Sequence, residues 1–142
     1  RVKYLGDRTQ LNADIQAAMQ EAEQETSQNQ VLQLNLMVNY GARDEIVAAA
    51  SKASVYLKVH PEEALTEAMF ASFLYTHGCP DPDILIRTGG DQRMSNYLLW
   101  QMAYTEFFFL DTLWPDFDEA QLLDVIKQFQ ARDRRFGGLN VR

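Results

Sequence analysis

The chain has 142 residues, 46% hydrophobic and 23% charged, with a formal net charge of −7. That suffices for one globular domain with a real core, and the acidic balance excludes wholesale nucleic-acid binding, which needs a basic face. The single cysteine, Cys79, excludes an internal disulfide framework and suits a reducing compartment; the two scattered histidines, His60 and His77, argue against a structural zinc set; and no run of about 18 apolar residues is present to span a membrane.

The chain opens on Arg1-Val2-Lys3-Tyr4-Leu5, which reads as a strand already under way, closed by Gly6-Asp7. With no initiator methionine, this suggests a chain that begins inside a larger protein; no signal peptide is visible at the start. From Leu11, apolar Leu11, Ile15, Ala18, Met19 and Ala22 recur at helical spacing. Val31–Tyr40 alternates Leu32, Leu34, Leu36 and Val38 with polar residues, the period of a strand, and Gly41 ends it. An alanine-rich helix is predicted from Arg43 to about Leu57, and a second over residues 61–76 with Pro61 in its first turn. A loop, His77 to Pro82, leads to a strand over residues 83–87, then a glycine loop, then a helix from Ser95 to Phe107 and a short strand near Phe108–Leu110. The last helix is predicted from Asp118 to Phe136. Gln121 stands at capping-box distance from Asp118, Leu122, Ile126, Phe129 and Phe136 form a buried stripe, and Arg132, Arg134 and Arg135 fill the final turn. Strand and helix alternate, so the fold class is α/β: a mostly parallel sheet flanked by helices, in one domain.

The segment Asp83 to Trp100, DILIRTGGDQRMSNYLLW, carries the chemistry. Arg87 stands at the carboxyl end of a predicted strand, where open α/β sheets bind ligands. Gly89-Gly90 permits a tight turn and close approach, and Ser95 and Asn96 are both good caps for a following helix. Two guanidiniums, a hydroxyl and a helix N-terminus would converge, each favouring an anion, and a diphosphate offers enough oxygens for all of them. The competing assignment pairs Arg87 and Arg93 with Asp91, Asp83 or Asp81 as a solvated cluster. From Tyr97 to Phe117 lie eight of the sixteen aromatics and no Lys, Arg or His. Glu106 in that apolar stretch needs a partner from elsewhere: a hard cation such as Mg²⁺, solvent at an exposed helix end, or an arginine of the last helix.

These residues resemble the cis-prenyltransferases, the undecaprenyl diphosphate synthases of bacteria and their relatives. The likeness runs through Ile86-Arg87-Thr88-Gly89-Gly90-Asp91-Gln92-Arg93-Met94-Ser95-Asn96, Leu98 to Glu106, Phe109 to Phe117 and Arg134-Arg135-Phe136-Gly137-Gly138. Upstream, Asn39-Tyr40-Gly41-Ala42-Arg43 resembles the family's NYGGR. The resemblance implies condensation of isopentenyl diphosphate onto an allylic diphosphate with Mg²⁺, giving cis double bonds and an undecaprenyl-type product for cell wall (peptidoglycan) biogenesis. It implies substrate binding by Arg87, Arg93, Met94, Ser95 and Arg135, metal binding by Glu106, and a cytoplasmic homodimer that meets membranes only through its lipid product. Asp91 stands where the family usually has Glu, Gln92 where many bacterial members have His, and Ala42 where it has Gly. Nothing in residues 1–142 matches the family's first motif, Asp-Gly-Asn-x-Arg-Trp, so the expectation is the C-terminal part of one synthase domain, with no catalytic residue of its own and no activity alone. A non-catalytic partner subunit is the alternative, and retention of Arg87, Arg93 and Ser95 speaks against it.

Overall fold

The computed structural model describes residues 1–132. Their elements are β1 (Val2–Leu5), α1 (Ala13–Glu25), β2 (Leu34–Met37), α2 (Ala42–Val59), α3 (Glu67–Ala71), β3 (Ile84–Arg87), β4 (Glu106–Phe109), a 3-10 turn (Trp114–Asp116) and α4 (Glu119–Gln130). They fall into two compact units. The first comprises Arg1–Pro80 with Asn96–Leu98, the second Asp81–Ser95 with the chain from Leu99 onward.

In the first unit β1 and β2 pair in parallel, Val2 opposite Leu34 and Leu5 opposite Met37. Gly6, at φ +129°, ends β1, and a β-carbon there would stand 2.1 Å from the Val38 carbonyl oxygen, so only glycine lets the strands stay this close. The outward N–H groups of β1 are satisfied by side chains of the α1 segment. Val2 N donates to Thr26 Oγ1 at 2.9 Å and Tyr4 N to Glu23 Oε1 at 2.8 Å. Glu23 also takes both arms of the Arg8 fork, at 2.5 and 2.9 Å. α1 thereby packs on β1, and the leucines of β2 are the exposed face, with Leu32 71%, Leu34 48% and Leu36 37% accessible. The alternation over Val31–Tyr40 signals a strand, shorter than expected, but its apolar side is open.

α2 buries Ala42, Glu45, Ala49 and Ala53, a small-residue stripe at helical spacing. Glu45 is the exception in that stripe, a carboxylate 1% exposed. It accepts the Tyr40 hydroxyl at 2.6 Å and Tyr75 N at 2.7 Å, and the Tyr40 ring meets Tyr75 and Tyr97 edge-on. Burial first, and the Glu45 carboxylate second, push the Tyr40 phenol far above its ordinary range, so it stays a donor. The helix expected over 61–76 is only the five residues of α3. Pro61 cannot continue α2 past its cap His60, and Thr66 starts α3 by accepting Met69 N at 3.1 Å.

In the second unit β3 and β4 pair in parallel, Ile84 opposite Glu106 and Arg87 opposite Phe109. The helix expected from Ser95 to Phe107 is a run of turns, and Glu106 opens a strand instead of ending a helix. Ser95, Asn96 and Leu98 have φ of 48°, 60° and 43°, the left-handed region, which an α-helix cannot contain. α4 begins with the expected capping box between Asp118 and Gln121. It ends at Gln130; Val125 is its fully buried residue, Ile126 and Phe129 of the predicted stripe are half-buried beside it, Leu122 is 40% exposed, and Phe136 lies outside the described residues.

Two measurements test these contacts. The Arg8 guanidinium is the main cause holding the Glu23 carboxyl below its ordinary range, with burial opposing and Tyr4 N adding to it. Its stabilisation is present above about pH 4.3, the ordinary glutamate value, and is lost as pH falls through the lower folded value. Urea midpoints measured against pH should fall on the acid side of that value, and Glu23→Gln should flatten this limb. Glu45→Ala leaves the Tyr40 O–H and the Tyr75 N–H without an acceptor and should cost on the order of 2–4 kcal/mol of unfolding free energy. Adding Tyr40→Phe should recover part of that loss.

Candidate functional site

β3 ends on Arg87, and the chain turns at once. Gly89 and Gly90, at φ +89° and +77°, make the turn. Their N–H groups are spent inside the fold, Gly89 on Thr112 O at 2.8 Å and Gly90 on Leu110 O at 2.9 Å, while Leu110 N returns to Arg87 O at 2.8 Å. The glycines make the tight turn expected of them and tie the loop to the segment after β4.

Arg87 then gathers the rest of the loop. Its Nη1 donates to Ser95 Oγ at 2.9 Å and to the Arg93 carbonyl. Its Nη2 lies 3.1 Å from Asp91 Oδ2, and Arg93 Nη2 lies 2.5 Å from the same oxygen. Arg87, Arg93 and Ser95 are therefore brought together, as expected, and of the acids weighed in the sequence Asp91 takes both guanidiniums. Summed over Arg87, Arg93 and Asp91 the cluster carries one net positive charge. Arg87 is 24% exposed, Asp91 43% and Arg93 66%, so the outer pair is worth less than about 1 kcal/mol and is open to exchange with solutes. Met94 lies half-buried in the loop between Arg93 and Ser95.

The helix N-terminus expected at Ser95-Asn96 does not form, because both residues are committed elsewhere. Ser95 Oγ serves Arg87. Asn96, which belongs to the first unit, accepts Arg43 N on Oδ1 and Ala42 N on its carbonyl, each at 2.9 Å. Those are the first N–H groups of α2, whose own cap position, Gly41, has no side chain to offer. A β-carbon on Gly41 would stand 2.9 Å from Asn96 Nδ2. Asn96 and the Asn39–Arg43 motif thus form one capping arrangement within the first unit, a link between residues more than fifty positions apart.

Glu106 stands elsewhere. It opens β4 opposite Ile84, three register positions from the level of Arg87, about 10 Å along the strands. Its Oε2 accepts Arg132 Nη1 at 2.6 Å, and that guanidinium lies 4.1 Å from the centre of the Phe108 ring. Arg132 falls just past the end of α4 and is the cation missing from the local sequence. A lone carboxylate has the hard-oxygen chemistry of a Mg²⁺ ligand, which is completed by phosphate oxygens and water. Its position does not fit a metal bridging to a diphosphate held at Arg87 of the same chain. Among the described residues, the one group of three possible metal ligands close together is His60, Glu62 and Glu63, on the surface after α2. Arg134, Arg135 and Gly137 lie outside the described residues.

The chain is similar to known proteins over nearly its whole length. The family model for undecaprenyl diphosphate synthase matches residues 1–137. An isoprenyl transferase of Agrobacterium fabrum is 48% identical over 98% of this chain and 57% of its own length. One from Bacillus subtilis is 45% identical over 98% and 54%. The chain thus spans a little over half the length of the curated relatives it matches. Among solved structures, lavandulyl diphosphate synthase from Lavandula x intermedia, in complex with dimethylallyl diphosphate, superposes with a TM-score of 0.90 at 38% identity, over 97% of this chain and 60% of that one. A probable undecaprenyl diphosphate synthase from Campylobacter jejuni gives 0.85 at 33%, over 97% and 63%. With a matching family model over nearly its whole length and an α/β fold shared with these enzymes, the chain belongs to the undecaprenyl diphosphate synthase family of prenyltransferases.

Proposed function

We propose that the chain carries the isopentenyl diphosphate half-site of a cis-prenyltransferase, and that residues 1–142 are the C-terminal part of one such domain. The observation that carries this is the convergence of Arg87, Arg93 and Ser95 at the carboxyl end of β3. Planar guanidiniums match diphosphate oxygens two at a time. In the reaction, the double bond of isopentenyl diphosphate attacks the allylic carbon, a carbon–carbon bond forms, and the allylic diphosphate leaves with the bonding electron pair. Loss of a proton then restores a double bond, of cis geometry. Arg87, Arg93 and Ser95 hold and orient the diphosphate of the attacking molecule and form no covalent bond themselves. Met94 lines the same loop, and Arg135 belongs to the same substrate set by resemblance.

Magnesium supplies charge neutralisation at diphosphate oxygens when bound. Glu106 would hold it in this reading, in exchange for its present partner Arg132. In this reading the role belongs to an assembled homodimer, with the second subunit's diphosphate as the neighbour; the distance of Glu106 from Arg87 along the strands supports it. The product is an undecaprenyl-type polyprenyl diphosphate made by a cytoplasmic enzyme that touches the membrane through that lipid. Among the described residues no helix is long and apolar enough to cross a membrane.

Titration calorimetry with isopentenyl diphosphate should show Arg87→Ala and Arg93→Ala each weakening binding by about 10- to 150-fold, the worth of one charge-assisted hydrogen bond; unchanged affinity in both refutes the site. Glu106→Gln should remove the Mg²⁺ dependence of binding or turnover in the full-length enzyme and leave metal-free diphosphate binding in place. The 142-residue chain alone should give no detectable prenyl transfer in a radiolabelled-substrate assay, and clear turnover would refute its standing as a part of the domain.

A further inference from the structure

The two guanidiniums assigned to a diphosphate already share an anion. Asp91 Oδ2 lies 3.1 Å from Arg87 Nη2 and 2.5 Å from Arg93 Nη2. Asp91 is four residues from one arginine and two from the other, so its carboxylate is always at hand, at the effective concentration of a group on a very short tether. A diphosphate and this carboxylate compete for the same N–H groups, and as like charges they cannot both take them without repulsion. The bonds of Arg87 divide accordingly. Nη1 is held by Ser95 Oγ and the Arg93 carbonyl, which keeps the guanidinium in place, while Nη2 meets Asp91 alone among the contacts described. The fork can therefore exchange one anion for another without losing its anchor. Asp91 and Arg93 are 43% and 66% exposed, so the exchange needs no opening of the fold.

We propose that Asp91 is a tethered competitor anion: it yields Arg87 and Arg93 to the incoming diphosphate and reclaims them as the diphosphate leaves, so that residue 91 sets how long the site retains its ligand. The inference rests on the reading of Arg87, Arg93 and Ser95 as a diphosphate site. A carboxylate that merely stapled the loop would have the opposite signature, since its removal would scatter the arginines and weaken binding.

The experiment titrates inorganic diphosphate into the protein, Asp91→Asn, Asp91→Ala and Arg87→Ala, at two salt concentrations. Both Asp91 variants should bind about tenfold more tightly, as expected for removing one like charge at close range. They should release diphosphate more slowly and lose more affinity on adding salt, because the site gains a net positive charge. A gain of affinity is not what structural damage produces. If Arg87→Ala abolishes binding while both Asp91 variants bind as weakly as the parent or more weakly, the competitor role is wrong and the diphosphate site stands. If Arg87→Ala binds as the parent does, the site itself is wrong and the competitor role falls with it.

Discussion

One guanidinium organises the loop after β3. Arg87 closes that loop through Ser95, the Arg93 carbonyl and Asp91, and its own carbonyl is fixed by Leu110 N in the ladder with β4. Main chain and side chain of one residue thus bind the loop from both directions. The bond to Asp91 is part-buried and those to Ser95 and the Arg93 carbonyl are exposed, so the loop is held by the three together and by no single shielded contact. Take away that side chain and the loop keeps its glycine turn but loses what draws Arg93, Ser95 and Asp91 to one point.

The strands, α1, α2 and the Asp118 cap of α4 were legible because local patterns determine them: period two, period 3.6 and a capping box. Arg87, Arg93 and Ser95 were legible as a group because all three lie within nine residues of one loop. The missing helix after Ser95 was not legible. Its apolar run is compatible with a helix, and what prevents it is non-local: Asn96 serves α2, more than fifty residues earlier, and Ser95 serves Arg87. The short α3 shows the same limit on a smaller scale, with Pro61 lying beyond a helix end and not within a beginning. Glu106 was recognised as needing a partner, yet Arg132 could be identified only once β4 and the end of α4 were placed together.

A common arrangement links the cationic loop and the acidic strand end. At each, the group proposed to meet an external charge holds an internal one: two arginines on Asp91, and Glu106 on Arg132 over the Phe108 ring. Such pairs contribute little to stability at these exposures. Their physical effect is to hold the side chains at a defined point and to lower the local field, so an arriving ligand exchanges one partner for another and does not have to order a free side chain.

Both strand pairs are parallel, and their connections differ. Residues 6–33 join β1 to β2 and carry α1, whereas residues 88–105 join β3 to β4 with no helix and with left-handed backbone at Ser95, Asn96 and Leu98. A crossover that contains a helix can shorten itself by local hydrogen bonding before its ends meet; one made of turns has to surrender its chain entropy residue by residue. The β3–β4 ladder, though closed by the shorter connection, gains no such help from within it. Residues 88–105 accordingly owe their conformation to bonds reaching across the sequence, such as Arg87 to Ser95 Oγ and Gly89 N to Thr112 O, and to no helical ladder of their own.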